Sequence, residues 1–363
     1  MIKKIIIILA VFLAGCTSNK TLKHPLDKSK SKTVVLENGL KVYLLSDPSF
    51  NVSAASVSVE VGSLDNPDDR QGLAHFLEHM LFLGTEKYPD VDEYSSYLKT
   101  YGGYSNAYTA SDHTNYQFQV LPDGFEGALD RFSQFFISPL FTEEYTAREV
   151  NAVNSEHQKN MLNDNWRQFR ISSLFAKDGH PERKFGTGNL ETLGDITREE
   201  LIRFYKQHYS ANRMGVALLS THSLEEMESW CRQYFSSVKD RNLNRNKYDP
   251  NFLEKKETFR LIQIDPVKDV RNLNLLFSLP STRKLYKSKP GRQFGFILGY
   301  EGRGSLLSFL KQKGWALSLS AGAGSETSDY GNASVRIGLT EEGLSNYKDV
   351  IKTTMDYIAL MKE

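Results

Sequence analysis

Two imidazoles and a carboxylate stand close together at His75, Glu78 and His79, inside the apolar stretch Leu73 to Leu83. Leu73, Phe76, Leu77 and Met80 recur at helical spacing, so the stretch is predicted to be a helix with a buried face. Residues four apart leave one side of a helix a turn above each other, and Glu78, three on from His75, shares that side. Two imidazoles so related suit two corners of a tetrahedral zinc, and a carboxylate beside them suits a general base. The order His-x-x-Glu-His inverts the commoner zinc-hydrolase pattern. The plain alternative is a buried helix whose histidines hydrogen-bond within the core. That accounts for one histidine, but poorly for two with a carboxylate on an otherwise apolar helix.

Two histidines leave a zinc ion short of a protein ligand. Glu149, Glu156, His113, His157 and Cys231 are the candidates. Glu149 and Glu156 lie seven apart, two helical turns, and share one face of the helix expected after Phe141. Val150, Ala152 and Val153 between them imply partial burial of that helix. A buried carboxylate stays ionised only beside a cation or several donors. A metal would serve one glutamate, and the other would orient a histidine. Glu149 could equally pair with Arg148, and spacing does not rank either glutamate above the other.

The elements that must position these groups come in no regular alternation. Val34-Val35-Leu36, a Glu37-Asn38-Gly39 turn and Leu40 to Leu45 predict a hairpin with positive φ at Asn38 and Gly39. Val57, Val59 and Val61 alternate with Ser58 and Glu60, and Tyr116, Phe118 and Val120 with Gln117 and Gln119, giving strands with one buried face. Helices are expected over roughly Phe125–Phe136 and Glu144–Phe175. The fold class is α+β rather than a parallel βαβ series.

The chain also echoes itself. Leu73-Ala74-His75-Phe76-Leu77-Glu78-His79 aligns with Leu306-Leu307-Ser308-Phe309-Leu310-Lys311-Gln312, and Gly102-Gly103 through Leu121 with Ala321-Gly322 through Leu339. This points to duplication, with Ser308, Lys311 and Gln312 standing where the first copy has its ionisable trio. The first copy spans 33–245 and the polar stretch Lys239–Asn251 reads as a linker. The second spans 256–363 and breaks off inside an amphipathic helix carrying Leu344, Tyr347, Ile351, Met355 and Ile358, about halfway through.

Residues 1–16 read as a targeting segment: Lys3 and Lys4, then the apolar run Ile5 to Leu13, too short to span a bilayer. Leu13-Ala14-Gly15-Cys16 resembles a bacterial lipobox, which implies cleavage before Cys16, its lipidation, and anchoring in the cell envelope. Thr17 after the cysteine leans toward the outer membrane, facing the periplasm. Residues 17–32, polar and rich in Lys and Ser, read as a tether. Cleavage takes the 45 Lys and Arg to 43 against 44 acidic residues, a mature charge of −1. No basic run is interleaved with aromatics, so no nucleic-acid partner is expected. Cys231 is left without a disulfide partner.

Several phrases resemble the insulinase (pitrilysin) family of zinc peptidases: His75-Phe76-Leu77-Glu78-His79-Met80, Asn106-Ala107-Tyr108-Thr109 after Gly102-Gly103, and Arg148-Glu149-Val150-Asn151-Ala152-Val153 with Ser155-Glu156. Gly299-Tyr300-Glu301-Gly302-Arg303-Gly304-Ser305 and Leu339-Thr340-Glu341-Glu342-Gly343 fit too. The resemblance implies a mixed, mostly antiparallel sheet packed with helices, followed by a related domain without a metal motif. It implies one zinc per chain held by His75, His79 and Glu156, with Glu149 behind them and Glu78 as the base. It further implies that extended peptides pair with a sheet edge at Asn106, Ala107 and Tyr108, and that Gly299 to Ser305 helps anchor a peptide's end. Long members have four related domains in two halves, and the C-terminal half supplies an arginine and a tyrosine that have no counterpart here. Loss of a transition-state donor costs about 10²–10³ in rate, so a complete metal site and feeble turnover are compatible. The expected activity is a zinc-dependent endopeptidase on the N-terminal part of a larger enzyme, whose remaining half is either a separate chain or lost through a frameshift or an early stop. The alternatives are a non-catalytic peptide-binding or assembly subunit, or a truncated remnant.

Overall fold

The computed structural model describes residues 23–253, 260–324 and 327–361; the targeting segment and Cys16 lie outside them. Strands β1 (Lys30–Val35) and β2 (Lys41–Ser46) form the expected hairpin, beginning before residue 33. Its turn differs from expectation. Gly39 alone takes positive φ, and Asn38 instead donates its side-chain amide to the carbonyls of Phe235 and Val238. A residue that anchors a distant segment has no need of the left-handed region.

The chain continues through β3 (Ser53–Val59), α1 (Leu73–Met80), α2 (Glu93–Thr100), β4 (Tyr104–Thr109), β5 (Thr114–Val120), α3 (Phe125–Ser133), α4 (Glu143–Met161), α5 (Asp164–Ser173), α6 (Leu190–Leu193), α7 (Arg198–His208), β6 (Met214–Ser220) and α8 (Leu224–Phe235). The six strands order as β1-β2-β6-β3-β5-β4, antiparallel except for β2 beside β6. The alternation in β3 and β5 buries Val57, Val59, Tyr116, Phe118 and Val120 on the side that the helices cover. There Tyr94, Phe118, Phe132, Phe135 and Phe136 make edge-on ring contacts. Leu73, Phe76, Leu77 and Met80 of α1 are fully buried. Each contributes about 1.5–3 kcal/mol, enough to hold a helix that also buries a carboxyl.

The helix expected over 144–175 is two. Asn163 accepts from the amides of Asn165 and Trp166 and starts α5 afresh, a polar side chain outcompeting the helical ladder. Ala152 is exposed, while Val150 and Val153 are buried.

Beyond residue 260, β7 (Asn272–Pro280), α9 (Pro290–Leu298), α10 (Leu306–Gln312), β8 (Ala316–Gly324), β9 (Tyr330–Leu339), α11 (Glu341–Ser345) and α12 (Tyr347–Leu360) build a three-stranded sheet ordered β7-β9-β8. That order repeats β3-β5-β4, with two helices before the second strand in each copy. The order shifts the echo by one helix. By position α10 matches α2, and α9 is the counterpart of α1, so Ser308, Lys311 and Gln312 do not replace the ionisable trio. On α12 the buried face carries Val350 and Thr354, whose hydroxyl donates back to the Val350 carbonyl, whereas Met355 is exposed; Leu344, also exposed, belongs to the separate helix α11. The stretch read as a linker has no regular structure but is tied down. Tyr248 donates to Asp65, Arg245 pairs with Asp329, and Phe252 packs in a small core with Leu64, Ala176 and Tyr330.

Candidate metal centre

Helix α1 starts where the backbone turns left-handed at Gly72, φ +93°, and Asn66 Oδ1 receives the amide of Ala74 at 2.8 Å. Gly72 lies directly on Gly188; a Cβ added to it would stand 2.2 Å from the Gly188 Cα. This backbone contact brings the neighbouring carbonyl of Thr187 to 2.8 Å from Nδ1 of His75. Nδ1–H donates there, which leaves the lone pair of His75 on Nε2. One turn on, Nδ1 of His79 faces Oε2 of Glu149 at 3.4 Å, and its free nitrogen is again Nε2.

Those two nitrogens converge on Glu156. Its Oε2 lies 3.5 Å from Nε2 of His75 and 3.9 Å from Nε2 of His79. Ligand atoms about 2.1 Å from a tetrahedral zinc stand roughly 3.4 Å from each other. His75, His79 and Glu156 fit that geometry, and they form the one such cluster of histidine, cysteine and carboxylate among the described residues.

The electrostatics agree with the geometry. Burial, then the neighbouring charge of His79, keeps His75 below the usual imidazole range, hence neutral. His79 is drawn the other way. Burial would lower it, but Glu149 raises it, and Glu149 is itself held low by that hydrogen bond. Glu78 is 6% exposed, and burial pushes its carboxyl up to about 7 although the Thr109 hydroxyl, 2.6 Å from Oε2, pulls it down. A carboxyl poised near neutrality can take and return a proton.

The other candidate ligands lie elsewhere. His113 faces Asp112 and Tyr108, the His157 ring packs on Phe185, and Cys231 is buried in α8. Asn106, Ala107 and Tyr108 occupy β4, the edge strand of the larger sheet, with Asn106 and Tyr108 exposed and Ala107 half-buried. Two parts of the site carry no signal in the sequence: the Thr187 carbonyl, because a backbone atom has no residue type, and the Thr109 hydroxyl, because strand threonines are common.

The fold and the cluster are those of a peptidase module. The chain matches the model of insulinase (peptidase family M16) over residues 41–178 and that of the peptidase M16 inactive domain over residues 195–363. It belongs to the insulinase family. The A-factor-processing enzyme of Saccharomyces cerevisiae is 43% identical over 350 residues, 94% of this chain and 34% of that enzyme. The insulin-degrading enzyme of Homo sapiens is 43% identical over 351 residues, 95% of this chain and 34% of its own length. The chain thus spans about a third of these relatives. A crystal structure of pitrilysin superposes with a TM-score of 0.89 at 30% identity, covering 95% of this chain and 37% of pitrilysin. A protease from Helicobacter pylori, 20% identical with a TM-score of 0.74, shares the fold.

Proposed function

We propose that the chain is the metal-binding part of a zinc-dependent endopeptidase, with one zinc on His75, His79 and Glu156. The observation that carries this reading is the convergence of two Nε2 atoms and one carboxylate oxygen, each imidazole tied back through Nδ1. Zinc held by these residues would supply Lewis acidity, to acidify water and polarise a peptide carbonyl. Glu78 takes the proton of the attacking water and returns it to the leaving amine. The peptide lies along β4 and pairs with its backbone at Asn106, Ala107 and Tyr108, so side-chain identity is weakly selected. Named relatives process A-factor or degrade insulin, which supports peptides as the substrate class. Lipidation at Cys16 would hold the enzyme in a bacterial envelope, at the outer membrane facing the periplasm. Its support is the pattern Lys3-Lys4, Ile5 to Leu13 and Leu13-Ala14-Gly15-Cys16. Among the described residues no helix is long and apolar enough to cross a membrane.

Elemental analysis and a quenched fluorogenic peptide test the reading together. The wild-type chain is expected to carry about one zinc, His75→Ala to lose it, and Glu78→Gln to keep it while cleavage disappears. Stoichiometric zinc in His75→Ala, or cleavage by Glu78→Gln, defeats the proposal. Acylation is tested by palmitate labelling, which must vanish in Cys16→Ala.

A further inference from the structure

The base is held by less than its ligand neighbours are. Among the described groups, the Glu78 carboxylate has a single hydrogen-bond partner, the Thr109 hydroxyl at 2.6 Å from Oε2. Thr109 is the last residue of β4, and its side chain turns inward while Tyr108 beside it faces out. Directly across the ladder stands Thr114, whose hydroxyl gives its proton to the Val61 carbonyl at 2.8 Å. Only 3.3 Å separates the two threonine oxygens. With the Thr114 proton committed to Val61, the Thr114 oxygen can only accept from Thr109. At 3.3 Å and uncharged it is a poorer acceptor than an ionised Glu78 at 2.6 Å, so the Thr109 proton goes to the carboxylate. Hydrogen bonds to a charged acceptor are short and strong, and this one is partly buried.

We infer that Thr109 is a positioning residue for the proposed reaction: it holds the Glu78 carboxylate by Oε2 and leaves Oε1 to accept the proton of the attacking water. Because Thr109 belongs to β4, the base and the edge proposed to bind the peptide are fixed to one strand. The distance between base and scissile bond is then set by a rigid ladder rather than by the rotamer freedom of a glutamate. This inference rests on the reading of Glu78 as the base.

Thr109→Val keeps the shape and β-branching of the residue and removes the donor, and Thr109→Ser keeps the donor. In the full chain, Thr109→Val should lower kcat about 10–100-fold, the worth of one hydrogen bond to a charged group. KM should stay within about twofold, because binding along the β4 backbone is untouched. Zinc content should match wild type, and Thr109→Ser should recover kcat to within roughly threefold. A Thr109→Val enzyme with wild-type kcat overturns the inference, as does a defect confined to KM or one that Thr109→Ser shares in full. Glu78→Gln, run alongside, separates the two levels. If it is inactive while Thr109→Val is unaffected, the role of Thr109 fails and the base survives. If it cleaves, or if wild type with zinc bound does not, the reading of Glu78 and this inference fall together.

Discussion

Glu149 reaches the proposed metal site only through an imidazole. Its Oε2 sits 3.4 Å from Nδ1 of His79, and the pair shifts both groups toward their charged forms. A zinc ion on Nε2 would require a neutral His79, whose Nδ1–H Glu149 would then accept, fixing the tautomer and making Nε2 more basic. Glu149→Gln keeps the size of the side chain but removes the charge, so zinc should still bind, about 10–100-fold more weakly. Chelator competition at pH 7.5 measures this; an unchanged affinity would mean that Glu149 does no more than pair with Arg148. At this scale the sequence is informative where geometry is local. The spacing of His75, Glu78 and His79 on one short helix determines which side they share, whatever the rest of the chain does. Glu156 and Glu149 both lie on the right face of α4, and their order of approach depends on how α4 crosses α1, a tertiary fact that spacing does not contain.

At the scale of elements, the site depends on two glycines that bear no functional group. Gly72 and Gly188 both take positive φ; a Cβ on Gly72 would stand 2.2 Å from the Gly188 Cα, and one on Gly188 would stand 2.4 Å from Cδ1 of Leu193 and 3.3 Å from the Gly72 Cα. Their contact docks the start of α1 on the loop that presents the Thr187 carbonyl to His75. Gly72→Ala meets both a left-handed backbone and a backbone clash, and should cost about 2 kcal/mol or more. Separating the two segments also releases His75 from Thr187, so zinc per chain should fall. Gly179→Ala is the control, since Gly179 has φ +76° but nothing within 4 Å of an added Cβ. It should lose about 1 kcal/mol and keep its zinc. Thermal melts and zinc content of the two variants decide the matter; equal zinc in both would show that the glycine contact does not support the site. Strands and strongly periodic helices are legible in the sequence because their alternation is set by burial alone. The break at Asn163 and the inward Thr354 are not, because in both a side-chain hydrogen bond to the backbone overrides the pattern of apolar residues.

Across the whole molecule, the two sheets are joined hairpin to hairpin. The turn between β4 and β5 carries Asp112, whose carboxylate accepts from Nη1 and Nη2 of Arg283 at 3.0 Å, from the Ser328 amide at 2.7 Å and from His113. Arg283 follows β7 and Ser328 lies between β8 and β9, so one carboxylate on the edge hairpin of the first unit gathers the ends of all three strands of the second. Burial would raise Asp112, but these donors outweigh it and hold the group well below the usual carboxylate range. A carboxyl depressed in the folded state binds fewer protons there than in the unfolded chain, so it adds stability above its unfolded value of about 3.9. That stability drains away as the pH falls from there through the folded value. Asp112→Asn keeps the shape, loses the charge, and leaves Arg283 without its partner. Because Arg283 is partly exposed, water screens part of the interaction, and the loss at pH 7 should be about 2 kcal/mol rather than the full worth of a buried pair. Urea midpoints at pH 7 and pH 3 give the test. Wild type should exceed Asp112→Asn at pH 7, and the gap should narrow at pH 3, where the unfolded wild-type chain takes up a proton at Asp112 that the folded carboxylate still resists. A gap that is absent at pH 7, or one that widens in acid, would mean that this cluster does not couple the two sheets.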